Sequence, residues 1–235
     1  MFGKKPPTPG PNAPYKERME LVYSQSRVRQ EIEGLPDREL AVQARAGNML
    51  AFEILVARKT APVLSVARRV VGNAEDARDV SQMVFLRVWE QLSRYDETYS
   101  FNTWLYRIAT NLSIDFLRSA RSRERAHTAT LHIVRSREEN TAAETARAAE
   151  DGTASRLFER MSRRLTGKQK AAFVLREMED LETSEIAAIL NCGESTVRNH
   201  LFNARRLLRK ELERIQPGLK GRLPSQARSA KEGPS

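Results

Sequence analysis

The sequence predicts an all-α fold, two compact helical blocks joined by a flexible linker. Three observations carry that prediction. Apolar residues recur at helical spacing in both halves, and no stretch shows persuasive strand-like alternation. Helix breakers punctuate the pattern at Gly47-Asn48, Gly72-Asn73 and Asn191-Cys192-Gly193. Between residues 122 and 154 the apolar periodicity fades, and Ala, Thr, Arg and Glu dominate. The resulting division is an N-terminal Pro-rich basic arm over 1–34, partly disordered, and a first helical domain over 35–121. A linker over 122–154, a second helical domain over 155–214 and a basic disordered tail over 215–235 follow.

Residues 1–19 hold several prolines with Lys4, Lys5, Lys16 and Arg18, and read as disordered. A short helix is expected over 20–34. From Asp37 the helical pattern is continuous up to Gly47-Asn48. A second helix runs from Met49 to Val71, with a kink expected at Pro62. Gly72 suits the left-handed position that ends it, and Asn73 suits the N-cap of the next helix. Glu75 and Asp76 then lie in a first turn, where the helix dipole favours acid. This helix carries Val80, Val84, Leu86 and Val88 and reaches about Leu92. Arg94–Ser100 reads as a loop, and a further helix spans Phe101 to about Arg121. In the second block, Thr166 and Gln169 fit a reciprocal capping box.

The chain has 235 residues and a formal net charge of +10, which favours a polyanionic partner. A single cysteine, Cys192, excludes a disulfide framework and suits a reducing compartment, the cytoplasm. The stretch MFGKKPPTPGPNAP lacks the apolar core of a secretion signal, and no apolar run of about 18 residues predicts a membrane span. His127, His132, His200 and Cys192 have no metal-ligand spacing, and no glycine-rich phosphate loop is present. No metal, cofactor or small-molecule substrate is expected. No constellation of nucleophile, base and convergent charge marks an enzyme.

Thr183–Leu190 is a short amphipathic helix, followed by the Asn191-Cys192-Gly193 turn and a longer helix from Glu194. That pattern matches a helix-turn-helix, whose second helix enters the DNA major groove. At about 100° per residue, Val197, Leu201, Ala204 and Leu208 form a core face. Asn199, Phe202, Asn203 and Arg206 lie opposite, with Arg198 at the flank. A thymine methyl is an apolar partner for an outward phenylalanine, and Asn and Arg read base edges. Arg205, Arg209 and Lys210 add phosphate-binding charge. An ordinary helical hairpin with a solvated basic face would show the same glycine turn.

In the first block, Phe101, Trp104, Leu105, Ile108 and Leu112 form the apolar stripe of one helix. Thr103, Tyr106, Arg107, Thr110 and Arg118 are expected on its opposite face, a composition suited to a nucleic-acid strand.

FNTWLYRIATN, preceded by DVSQMVFLRVWEQL, resembles the second conserved region of sigma-70-family factors, and more narrowly the extracytoplasmic-function subfamily. SEIAAILNCGESTVRNHLFNARRLLR resembles the fourth region of that subfamily. The likeness spans about Asp37 to Arg209 and implies a transcription initiation factor. Its implied partners are core RNA polymerase (β′ clamp and β flap), promoter DNA and, commonly, an anti-sigma factor. By position, Asp79, Gln82, Phe85 and Trp89 correspond to the polymerase-docking helix. Met83 stands where relatives carry an acid, which removes one polar contact. Tyr95, Asp96, Thr98 and Tyr99 correspond to the loop that captures a flipped −10 base, with Arg87, Tyr106, Arg107 and Asn111 near that DNA. Arg198, Asn199, Phe202 and Asn203 correspond to the −35 readers, flanked by Arg205, Arg206 and Arg209. Position 203 is often basic in relatives, so a different −35 preference is expected. The competing reading is a stand-alone helix-turn-helix regulator, which would not bind polymerase core.

Overall fold

The computed structural model describes residues 14–131 and 153–215. In order the helices are α1 (Tyr15–Glu33), α2 (Asp37–Arg45), α3 (Met49–Val71), α4 (Ala74–Gln91) and α5 (Phe101–Leu131). After the linker come α6 (Thr153–Ser162), α7 (Gly167–Glu177), α8 (Thr183–Leu190) and α9 (Glu194–Ile215). Among the described residues there is no strand. The disorder expected over 1–13 and 216–235, and the middle of the linker, lie outside the described residues.

The punctuation follows backbone chemistry. Gly72 ends α3 at φ 90°, donating its N–H to the Arg68 carbonyl. Asn73 then caps α4 by accepting from the Glu75 and Asp76 N–H groups. Thr166 and Gln169 form the expected reciprocal capping box on α7. α3 runs through Pro62 as one helix. Asn191, at φ 48°, makes the left-handed turn between α8 and α9.

Two boundaries differ from expectation. α1 begins at Tyr15, inside the stretch read as disordered. α5 continues past Arg121 to Leu131, and α6 begins at Thr153, so both enter the segment read as linker. The reason is local: no glycine or proline interrupts 122–131, and its Arg, Glu and Ala residues favour helix.

The first core gathers Leu40, Ile54, Leu55, Val84, Val88 and Leu105 from α2 to α5. A second apolar cluster crosses between the blocks. It joins Val66, Val70 and Tyr106 to Leu175, Ile186 and Val197, with Ile114 and Leu117 packed against it. The two domains therefore pack directly on one another. Separation by a flexible linker, read from composition alone, left this contact unforeseen.

Candidate nucleic-acid and polymerase interfaces

The recognition helix is built as its periodicity predicts. Val197, Leu201, Ala204 and Leu208 are buried, which fixes α9 on α7 and α8. Phe202 on the other side is 65% exposed. The ring is thus open to an apolar partner such as a thymine methyl. Beside it, Asn203 Nδ2 donates to Asn199 Oδ1 at 2.8 Å, and Arg198 pairs with Glu194 at 3.2 Å. Arg206 and Arg209 are exposed on the same helix. Arg205 is already engaged, with Nη2 at 2.6 Å from Glu177 Oε1. His200 is half-buried, and burial together with nearby Lys168 lowers its imidazole pKa. Cys192 is half-buried in the turn and packs against the shared apolar cluster.

α4 presents a row at helical spacing: Asp79, Gln82, Met83, Leu86 and Trp89, all exposed. Leu86 is 60% exposed although its place in the apolar pattern suggested core. Trp89 rests on Phe52 of α3, with ring centroids 4.8 Å apart. Phe85 is half-buried and packs on the first core, so it supports this row from beneath. Met83 entered the sequence expectation only as a departure from the family's acid, and Leu86 and Phe52 were given no place in this surface. The i, i+3, i+7, i+10 spacing of 79, 82, 86 and 89 was the available signal for Leu86. Arg87 is exposed and near Glu90, at 3.5 Å.

The loop after α4 begins with a 3-10 turn, Leu92–Arg94. Tyr95 follows and is only 2% exposed. Its ring meets Phe101 edge-on at 5.7 Å and lies 5.4 Å from Trp104. Its hydroxyl donates to the Tyr99 carbonyl at 3.1 Å. Tyr95 is thus a structural post with no ring face open for base stacking, contrary to the sequence expectation. Burial raises its phenol pKa. Asp96, Thr98 and Tyr99 are exposed. Asp96 Oδ1 accepts from the Thr98 N–H at 2.9 Å and from its hydroxyl at 2.7 Å. These bonds, the backbone one first, lower the Asp96 carboxyl pKa.

α2 sets the position of this loop. Arg45 donates to the Tyr95 carbonyl at 3.0 Å and pairs with Glu97 at 2.8 Å. Arg38 reaches Glu97 at 3.4 Å. Between them opens a cleft of about 350 Å³, lined by Asp37, Arg38, Glu97, Thr98, Tyr99 and Asn102. Sequence reading missed Arg38, Arg45 and Glu97, because these contacts join residues more than fifty positions apart. Asp37 also holds Arg58 at 3.1 Å and pairs with Lys59. Burial opposes its ionisation, but the hydrogen bonds from Lys59 and Arg58 outweigh that and lower its pKa.

On α5, Thr103, Tyr106 and Thr110 are buried, not outward as expected. Thr103 closes onto Ser100 at 2.8 Å, and Thr110 back-bonds to the Tyr106 carbonyl at 2.7 Å. Tyr106 is covered by the second domain, and its hydroxyl donates to Glu179 Oε2 at 2.6 Å. Burial and then the Glu179 carboxylate push its phenol pKa well above the usual range. The physical reason is that α5 packs on both sides, against the first core and against α7 and α8. Arg107, Asn111 and Arg118 remain exposed.

Comparison with known proteins decides what these surfaces belong to. The family model for Sigma-70 region 2 matches residues 55–123, and that for Sigma-70 region 4 matches 155–208. The ECF RNA polymerase sigma factor SigW of Bacillus subtilis is 30% identical over 179 residues, covering 72% of this chain and 93% of SigW. The chain is an extracytoplasmic-function sigma factor of the sigma-70 family.

The ECF sigma-E factor of Escherichia coli is similar too, 29% identical over 77% of this chain and 96% of its own. Among solved structures, CnrH, in complex with the cytosolic domain of CnrY, matches with TM-score 0.56 and 25% identity. That match covers 76% of this chain and 97% of CnrH. The sigma factor RpoE of Bartonella quintana, solved with the anti-sigma factor NepR, shares the fold at TM-score 0.53 and 18% identity. It covers 69% of this chain and 96% of its own. The region 2 match takes in most of α3, all of α4, the Tyr95–Ser100 loop and most of α5. The region 4 match takes in the helix-turn-helix of α8 and α9. The sigma factor's α1 and α2 precede the region 2 match. No described helix is long and apolar enough to cross a membrane.

Proposed function

We propose that this sigma factor docks core RNA polymerase through α4, with the β′ clamp against Asp79, Gln82, Phe85 and Trp89. Its second domain meets the β flap. α9 reads the −35 duplex through Arg198, Asn199, Phe202 and Asn203. Arg206 and Arg209 anchor phosphates there. The −10 strand lies along Arg87, Arg107 and Asn111, and an extruded base enters the cleft beside Asp96, Thr98 and Tyr99. Binding that base offsets an unstacking cost of a few kcal/mol and so favours the open strand. The polymerase makes the RNA, and this chain contributes no covalent step. Work on a promoter with polymerase puts it in the cytoplasm. A protein partner is supported by CnrH, solved in complex with the cytosolic domain of CnrY, and for a chain of this family we take that partner to be an anti-sigma factor.

The observation that carries the reading is the exposed row Asp79–Gln82–Met83–Leu86–Trp89 on α4. A stand-alone helix-turn-helix regulator has no use for an apolar surface in a separate domain. Run-off transcription with core polymerase and genomic fragments tests it: discrete transcripts are expected only when this protein is added. Replacing Asp79 and Gln82 with arginine should weaken core binding and leave −35 duplex binding intact. Unaltered core affinity would reject α4 as the docking surface.

A further inference from the structure

We propose that Asn203 is a positioning residue for −35 readout. It holds the Asn199 amide with an acceptor and a donor facing out side by side, the pair that matches adenine, so α9 selects an adenine beneath Asn199. This deepens the reading of α9 as the −35 helix and rests on it. Val197, Leu201, Ala204 and Leu208 are buried and fix the rotation of α9 about its axis. Asn199 and Asn203, one turn apart, therefore stay on the outward side, Asn199 exposed and Asn203 half-buried.

Two hydrogen bonds settle the orientation of both amides. Asn203 Nδ2 donates to the Asn199 main-chain carbonyl at 3.0 Å and to Asn199 Oδ1 at 2.8 Å. A main-chain carbonyl only accepts, so the Asn203 atom beside it is the nitrogen. That nitrogen needs an acceptor, so the Asn199 atom facing it is the oxygen. Turning Asn203 over would set two acceptors together, and turning Asn199 over would set two donors together. The nitrogen also bridges the main-chain and side-chain oxygens of one residue, so it meets Oδ1 from the main-chain side. The other lone pair of Oδ1 stays open, beside the Nδ2 hydrogens.

An open oxygen next to an open N–H is the edge that adenine matches in the major groove. The oxygen accepts from N6 and the nitrogen donates to N7. Guanine presents only acceptors there, thymine an acceptor and a methyl group, and cytosine a donor. Each of those leaves one half of the Asn199 edge unpaired. Holding the amide in its bound orientation removes part of the ordering cost of the contact. The gain is the size of one net hydrogen bond, about two- to tenfold in affinity. An amide pair one turn apart also steadies a helix slightly. A base preference confined to one position is what a helix-steadying pair would not move.

Duplexes of random sequence, selected by the full chain assembled with core polymerase, test this. The wild-type chain should enrich adenine at one upstream position, and Asn199→Ala should lose that enrichment by about fivefold or more. Asn203→Ala should lower the adenine preference at the same position by about two- to tenfold and leave the other positions as they were. On the selected duplex, that adenine is then replaced by purine, which lacks the N6 amino group, or by 7-deazaadenine, which lacks N7. Either replacement should weaken binding of the wild-type chain, and neither should matter to Asn199→Ala.

An unchanged adenine preference in Asn203→Ala would overturn the positioning role. A response to Asn203→Ala at a different position from that of Asn199→Ala would make Asn203 a reader in its own right, and would overturn it too. A loss in Asn199→Ala at a guanine, thymine or cytosine would overturn the adenine assignment. If Arg198→Ala, Asn199→Ala and Phe202→Ala all left the selected upstream sequence intact, α9 as the −35 reader would itself fall. A shift from Arg198→Ala or Phe202→Ala without one from Asn199→Ala would spare that reading and reject the role of Asn199 and Asn203 alone.

Discussion

On α9, Phe202 stands 65% exposed between exposed Arg198 and Asn199. In the loop before α5, Tyr95 is 2% exposed under Phe101 and Trp104. Both aromatics fall in segments that correspond to DNA readers in the family, yet one stands open to a partner and the other is a support. The difference lies in how many sides of each element are packed. α9 lies at the edge of its domain, so one face is core and the other is free. The Tyr95 loop and α5 sit in the middle, held by α2 on one side and by the second domain on the other. A residue type that suits DNA therefore predicts a DNA contact only where the element has a free side.

The largest expected effect tests Tyr95 as a support. Tyr95→Ala removes a buried ring and should cost about 3–5 kcal/mol in urea unfolding of the full chain. Tyr95→Phe loses only the hydroxyl bond to the Tyr99 carbonyl and should cost about 1 kcal/mol, with promoter opening retained. If Tyr95→Ala were as stable as wild type but failed to open promoters, the ring would be a base contact after all. The comparison with Phe202 would then collapse.

The second effect is on the open face. Alanine at Arg198 or Asn199 should cost about 1–3 kcal/mol at one −35 base if that side chain makes a bidentate contact. The Asn203-to-Asn199 bond, 2.8 Å long, occupies one acceptor of Asn199. Asn203→Ala should therefore alter preference at the base that Asn199 reads, more than at any neighbouring base. A binding-site selection showing independent effects at 199 and 203 would break that link.

The same contrast explains what the sequence made legible. α3 stops at Gly72, α4 starts after Asn73, α7 starts at the Thr166–Gln169 capping box and α8 stops at Asn191, where the sequence marks them, because caps are local chemistry. The faces of α9 were legible because one side alone is packed. Tyr106 and Thr103 were misread because periodicity gives a residue's direction around the helix and not what lies in that direction. Nothing local at Tyr106 announces Glu179, seventy-three positions away. Arg45 and Glu97 were missed for the same reason: a charged pair across a loop leaves no pattern in its own neighbourhood. Gly167 reads as part of a cap, and its contact with Ile114 is visible only in three dimensions.

A smaller effect concerns the support of the −10 cleft at acid pH. The Asp37 pKa is lowered in the folded chain by Lys59 and Arg58. A carboxyl with a depressed folded pKa stabilises the fold above its unfolded pKa, about 3.9. That contribution is lost as pH falls through the lower folded value. Asp37→Asn should cost about 1 kcal/mol at neutral pH and flatten the acid limb of the stability curve. Equal slopes for the two proteins below pH 4 would mean that α2 is held to α3 by packing alone.

The smallest effect compares two arginines on the open helix. Arg205 is paired with Glu177 at 2.6 Å, whereas no ion pair engages Arg209 among those described. Each phosphate contact releases condensed counterions, so removing one lowers the salt dependence of binding by about one unit in log–log slope. Arg209→Ala should lose that full unit and weaken every sequence alike. Arg205→Ala should lose less, because its charge is already partly neutralised by a carboxylate. Freeing it with Glu177→Gln should steepen the salt dependence, and adding Arg205→Ala to that change should take the gain away. A titration of −35 duplex binding from low to high salt reads all four proteins. Equal slopes for Arg205→Ala and Arg209→Ala would mean that Glu177 yields Arg205 to DNA at no cost. The exposed face of α9 would then be one uniform basic surface, without a division between paired and free cations.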